Sequence, residues 1–244
     1  MKRGLARAAL RLFAVQGSWN YDRMVGIGLG YAEEPLLRDL PGGPGGERYR
    51  AAMRRAAGYF NAHPYLVGLA AGAIAKAEHE GVEGERVERL RTALLGPLGS
   101  VGDRLVWAGT LPVASSAGLI FSALGPVGAG AIVLLALHNV VHLVMRFWGL
   151  ATGWRLGTGI ARALTVPVLV GALRVVGPLA AIVLGVAIPI TAAWVLGSLD
   201  PSGDIAVGAM FVVTVVVGRW LVPTLRGVRL GLLAVLAVVL ASWL

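Results

Sequence analysis

Five residues among the first 104 positions, Trp19, Asn20, Asn61, His63 and Asp103, have the types that could hold a polyhydroxylated ligand. Trp19 and Asn20 stand in Q-G-S-W-N-Y-D, residues 16–22. An indole face packs on the C–H side of a pyranose, while Gln16, Asn20 and Asp22 can donate to or accept from its hydroxyls. The same group would equally serve as an aromatic anchor at a membrane interface. Asn61 and His63 follow in F-N-A-H-P-Y, residues 60–65. Pro64 biases His63 away from helical geometry, so a helix is expected to end there and to present both side chains. His63 then reads either as a cap and dipole partner or as a ligand. Asp103 and Arg104 close L-L-G-P-L-G-S-V-G-D-R, residues 94–104. Glycine and proline disfavour a continuous helix and free backbone polar groups. At membrane depth such groups survive only in protein or along a polar cavity. The stretch is therefore expected to be a broken or re-entrant segment that helps build a site, with an ordinary surface loop as the alternative.

His138 and His142 lie four apart in H-N-V-V-H, on one face of an apolar helix. That is the spacing of a zinc-binding pair, but the position after the first histidine is Asn139 where the zincin pattern has its glutamate base. Hydrogen bonding between helices is the competing use. With no cysteine there is no disulfide, thiolate nucleophile or thiolate metal site. No glycine run opens on a lysine as a nucleotide-binding loop requires. The sequence implies no metal, no other cofactor and no catalytic residue in this chain.

The elements that must position these residues divide the chain in two. Of 244 residues, 57% are hydrophobic and only 14% charged, the balance of an integral membrane protein. Residues 1–104 carry 15 Lys and Arg and 11 Asp and Glu, whereas residues 105–244 carry 7 and 2. The net charge of +9 is not a nucleic-acid signature, because the basic residues of the apolar half gather at span ends. The first residues read as a basic amphipathic helix, with Leu5, Ala9, Leu12 and Phe13 on one face, suited to anionic membrane lipid or a partner's groove rather than to a secretory signal. The breaker run 41–46 is a connection, and the spacing of Tyr49, Met53, Ala56 and Phe60 predicts a helix from 47 to 60. Residues 66–75 are apolar but give about 15 Å of helix against a hydrocarbon core of about 30 Å, so they form a buried or half-membrane helix. Residues 76–91 are charged enough to be solvated.

Residues 105–124 and 126–145 are each long enough to span and are separated by Gly125, a helical hairpin. Arg146, Arg155 and Arg162 then mark a cytoplasmic loop. Residues 163–199 read as an interfacial part and a kinked span from about 175 to 196, with Arg174 before it. Asp200 and Asp204 fit an outside turn, 205–222 returns to Arg219, Arg226 and Arg229, and 228–243 is a final, marginal span. The expected class is an all-α integral membrane protein: amphipathic and half-membrane helices in 1–104, about five transmembrane helices in 105–244, and broken or re-entrant segments.

Four blocks in order, F-A-V-Q-G-S-W-N-Y-D-R-M, Y-F-N-A-H-P-Y, L-L-G-P-L-G-S-V-G-D-R-L-V-W-A-G-T-L-P and H-N-V-V-H-L-V-M-R-F-W-G-L-A-T-G-W-R-L-G, fall between residues 13 and 157. Together they resemble the IID membrane component of the mannose/fructose/sorbose-family sugar phosphotransferase systems; beyond them the chain shares only apolar character. The resemblance implies a multi-pass permease subunit in a bacterial inner membrane. It would pair with a IIC membrane subunit in a hetero-oligomer and translocate a hexose-type sugar by an elevator-like shift. Soluble IIA and IIB proteins would phosphorylate that sugar, and this chain would carry no phosphate. Trp19, Asn20, Asn61, His63 and Asp103 would form the sugar path, supported by Gln16 and Arg104. Two positions depart from the pattern: Arg104 stands where the family has serine after Gly-Asp, and Ala62 where it has threonine. An arginine beside Asp103 is expected to pair with it and withdraw it from sugar. That expectation motivates the alternative of a transport-incompetent relative acting as a membrane sensor or scaffold for phosphotransferase proteins.

Overall fold

A computed structural model describes residues 2–196. The chain divides into two compact units, Met1–Leu184 and Gly185–Leu244. Among the described residues, all regular structure is helical: α1 (Lys2–Arg11), α2 (Gly26–Leu37), α3 (Glu47–Ala56), α4 (Val67–His79), α5 (Gly84–Gly102), α6 (Leu111–Leu124), α7 (Val127–Leu156) and α8 (Pro167–Leu196). Three helical runs among the described residues are long and apolar enough to cross a membrane: Gly84–Leu124, Val127–Thr165 and Pro167–Ala192. The turn and spans expected beyond residue 196, with Asp200, Asp204, Arg219, Arg226 and Arg229, lie outside the described residues.

The centre of the first unit is α4. It is built almost wholly from Gly, Ala and aliphatic residues, and all but Lys76 and His79 of its 13 residues are buried. As expected from its length, it is an interior helix rather than a span. Its Gly68 and Gly72 face Gly149 and Gly153 of α7. A Cβ on Gly72 would overlap the Leu150 carbonyl oxygen and the Trp154 nitrogen, and one on Gly153 would overlap the Leu69 carbonyl oxygen. The two helices thus touch backbone to backbone, the close crossing that two small-xxx-small faces permit. Around this axis Leu12, Leu29, Phe60, Leu66, Leu69, Ile74 and Leu98 form a dry core.

α1 packs on α2, burying Ala8, Ala9 and Leu12, while Arg7 stays exposed. Arg11 donates to Glu34 at 2.6 Å and to the Tyr31 carbonyl at 3.0 Å. The 41–46 run turns through Gly42 and Gly43 at φ 85° and 60°, a left-handed conformation that glycine adopts without steric cost. The solvated stretch expected at 76–91 is only partly so. Glu78 and Arg91 are buried, Glu78 in an ion pair with Arg55 and Arg91 against the Phe60 ring.

Two expected helix boundaries are corrected. α3 ends at Ala56 rather than at Phe60, just before His63, because residues 58–60 run extended beside 23–25: Val25 donates to the Phe60 carbonyl at 3.0 Å and Phe60 to that of Arg23 at 3.2 Å. Asn61 and His63 therefore lie on the non-helical lead into α4. The break expected within residues 94–104 does not occur. α5 runs through Gly96, Pro97 and Gly99, passes into a π-helical run, Asp103–Thr110, and continues as α6. Pro97 removes one backbone donor and crowds the carbonyl four residues before it, a cost that the burial of Leu94 and Leu98 in the core offsets. The loop expected at 146–162 is likewise mostly helix, since α7 continues to Leu156 before the 3₁₀ segment Gly157–Thr165. The hairpin between α6 and α7 turns, as expected, at Gly125-Pro126. α8 starts eight residues before the span expected from 175.

Candidate functional site

A pocket of about 630 Å³ opens between the 16–25 segment, the 59–64 lead into α4, and one face of α5 and the π-helical run. On the helix side it is lined by Leu95, Gly96, Gly99, Ser100, Asp103 and Trp107. These recur every three or four residues, so they form one stripe along the axis. The glycines matter by what they lack: nothing lies within 4 Å of a Cβ position at Gly96 or Gly99. The stretch expected to build a site by breaking a helix instead contributes a bare helix face.

Gln16, Trp19, Asn61, His63 and Asp103 all line this one pocket. Asn20 does not. Its carboxamide oxygen accepts from the Asp22 and Arg23 amides at 3.1 and 2.9 Å, and its nitrogen donates to the Ser18 carbonyl at 3.0 Å. That is a closed Asx turn which shapes the loop carrying Trp19. Arg104 also stands outside the lining, exposed and one position round the helix from Asp103. Adjacent helical residues do not face each other. No ion pair joins Asp103 and Arg104 among the described residues, so the expected capture of the carboxylate is corrected.

Tyr59 and Trp107 line the pocket although they were not among the expected site residues. With Trp19 they make three rings, each about half exposed at 47–48%, around one polar opening. Trp107 had a readable signal, since it lies four residues after Asp103 on the same helical face. His63 is fixed on several sides. A Cβ on Gly102 would overlap its Cβ, its ring stands perpendicular to Tyr65 with centroids 5.1 Å apart, and Trp107 lies at 5.1 Å. The Tyr65 amide donates to His63 Nδ1 at 3.2 Å, which places the proton of the neutral ring on Nε2. Burial pushes the His63 pKa down to about 4; nearby Asp103 opposes this and Arg146 adds to it. At neutral pH His63 is an uncharged imidazole.

The Nε2 nitrogens of both α7 histidines are otherwise engaged. His138 Nε2 lies 2.7 Å from the Tyr65 hydroxyl, and His142 Nε2 accepts from Arg146 Nε. No group of three His, Cys, Asp or Glu suited to a metal occurs among the described residues. Arg146 is buried, donates also to the Leu12 carbonyl, and has the Phe13 and Tyr65 rings at 5.2 and 5.5 Å. It is thereby solvated without a carboxylate.

Among the described residues, a helical architecture with three membrane-length apolar runs, beside a polar pocket rimmed by aromatic rings, is the build of an integral membrane protein. More specifically, the chain belongs to the PTS system mannose/fructose/sorbose family IID component, which it matches over residues 1–244. It is 32% identical over 61% of its length to the fructose permease IID component of Bacillus subtilis (strain 168), covering 54% of that protein. It is 29% identical over 63% to the mannose-specific EIID component of Escherichia coli (strain K12), covering 55%. To the sorbose-specific EIID component of Klebsiella pneumoniae it is 30% identical over 62%, covering 56%. The chain thus spans just over half the length of these relatives. Its fold resembles a chain of the mannose transporter ManYZ in complex with microcin E492, with TM-score 0.61 and 26% identity over 76% of this chain and 69% of that one. A second solved structure, described as a membrane protein, matches with TM-score 0.68 and 25% identity over the same shares.

Proposed function

We propose that the chain is the IID subunit of a phosphotransferase-system sugar permease in a bacterial inner membrane. It pairs with a IIC membrane subunit and helps translocate a hexose-type sugar that separate IIA and IIB proteins phosphorylate. The observation that carries this reading is the convergence of Trp19, Asn61, His63, Asp103 and Trp107 on one pocket. Half-exposed indoles stack on a sugar's C–H face, the carboxylate accepts from hydroxyls, and the amide supplies both functions. Family membership and the mannose, fructose and sorbose names of the relatives support the substrate class. The alternative of a transport-incompetent sensor or scaffold loses its motive, because Asp103 remains free of Arg104.

The test is uptake of radiolabelled mannose, fructose and sorbose by a strain lacking its own permeases of this family, with this chain expressed alone, with a IIC partner, or absent. Uptake of at least one sugar that requires both chains is expected. Membrane-inserted, co-purifying chains that transport none of the three would overturn the reading.

A further inference from the structure

Three of the chain's four histidines pack around one ring that is neither in the pocket lining nor among the expected site residues. Tyr65 has His63 at 5.1 Å, His138 at 5.7 Å and His142 at 4.2 Å, the last stacked within 11° of parallel. Trp107 lies 6.3 Å away. His63 and Trp107 belong to the pocket, whereas His138 and His142 belong to α7. Tyr65 is 8% exposed, so it touches no ligand itself; it stands behind the pocket wall.

A phenylalanine would pack in the same place, so packing alone does not call for a tyrosine. The distinguishing atom is the hydroxyl, 2.7 Å from His138 Nε2. A buried hydroxyl is costly unless paired, and this one is paired to a single side chain on a different element. The bond fixes how far the ring reaches toward α7, and the ring in turn abuts His63 and Trp107. We propose that Tyr65 is a positioning residue of the pocket: keyed to α7 through His138, it sets the His63 and Trp107 rings that form the wall. This rests on the reading of the pocket as a sugar site. A site held to within a few tenths of an ångström depends on such supporting contacts, and a loosened wall weakens binding without removing any ligand contact.

The experiment uses the chain assembled with its IIC partner and measures concentration-dependent uptake of mannose, fructose and sorbose. Tyr65→Phe keeps the ring and deletes the bond; His138→Leu deletes the same bond from α7. Each is expected to raise KM roughly three- to tenfold, the scale of one lost hydrogen bond, with Vmax and membrane abundance unchanged. The double variant should be no worse than either single one, because both remove one interaction. His138→Gln, whose amide can still meet the hydroxyl, should bring KM back toward the unaltered value. If Tyr65→Phe fails to assemble, the comparison of His138→Leu with His138→Gln reads the same bond. Trp19→Ala is the reference for the pocket. Raised KM in Trp19→Ala with unchanged KM in Tyr65→Phe overturns the positioning role and leaves the pocket standing. A fall only in abundance or Vmax also overturns it, since that is a folding role. Unchanged KM in both, or no uptake of any of the three sugars by the unaltered complex, removes the sugar-pocket reading and this inference with it.

Discussion

Asp103 is the one carboxylate among the described residues of the pocket wall, and its charge sets it apart from the neutral groups around it. Losing a hydrogen bond to a charged group costs about 1.5–3 kcal/mol, against about 0.5–1.5 for a neutral one. Asp103→Asn should therefore raise the KM for uptake roughly ten- to hundredfold, and Asn61→Ala only about two- to tenfold, in complexes of equal abundance. Arg104→Ser, which an ion pair would have made activating, should leave KM within about twofold, because no such pair exists to release. A second residue-scale prediction concerns Glu33 on α2. It is fully buried, neither carboxyl oxygen has a hydrogen-bond partner, and burial raises its pKa to about 8. Arg91 opposes that shift, whereas Glu78 and Glu88 add to it. The folded chain thus holds a proton that the unfolded chain releases near the ordinary carboxylate range. The stabilisation is full below that range and declines as pH rises toward 8, with a limiting slope of about 1.4 kcal/mol per pH unit. Thermal unfolding in detergent should show Tm falling from pH 5 to pH 8, and Glu33→Gln should flatten that decline. An equal decline in both proteins would refute it. Residue types alone could select Trp19, Asn61, His63 and Asp103, which line one pocket. They could not separate Asn20, because a short amide that binds sugar and one that closes its own turn look alike until the backbone is known.

Among the elements, the α4–α7 crossing is one of the tight ones. The two helices meet through Gly68, Gly72, Gly149 and Gly153, and the atoms a side chain would strike are backbone, which cannot swing aside. Gly153→Val should therefore cost at least about 3 kcal/mol, the upper end of ordinary overpacking. Gly171→Ala on α8, where nothing lies within 4 Å, should be neutral or slightly stabilising. Detergent-solubilised protein compared by thermal unfolding and by yield would check both; similar behaviour of the two variants would contradict the close crossing. The short α4 and the 125–126 hairpin were legible, because span length and a glycine-proline turn are local properties. The continuity of α5 through residue 102 was not. Its glycines and Pro97 argue for a break on propensity, and tertiary contacts override them: Leu94 and Leu98 are buried in the core and Gly102 lies against His63. The π-helical run left no trace in hydrophobic spacing. It nonetheless carries Asp103 and Trp107, in keeping with the concentration of such turns at functional sites.

Across the first unit, helix lengths place the pocket relative to a bilayer. The helical run from Asp103 to Leu124 rises about 30 Å, and so does α7 from Val127 to Arg146, each close to one hydrocarbon thickness. With the 125–126 hairpin at one membrane face, Asp103, Arg104 and Arg146 all fall near the other, which spares three ionisable groups the bilayer centre. The charged start of α5, with Glu85, Arg86, Glu88 and Arg89, then lies beyond the hydrocarbon on that same side, as do Arg155 and Arg162 after α7. By the arginine excess that side is expected to face the cytoplasm and the hairpin the outside. The chain has no native cysteine, so single introduced thiols report cleanly. Thr158 is exposed on the 3₁₀ segment, and Gly128 is exposed just after the hairpin with nothing within 4 Å of a Cβ. An impermeant maleimide applied to intact cells should label Gly128→Cys and spare Thr158→Cys, and permeabilising the cells should expose the latter. Labelling of Thr158→Cys but not Gly128→Cys would invert the orientation and put the pocket on the outer face.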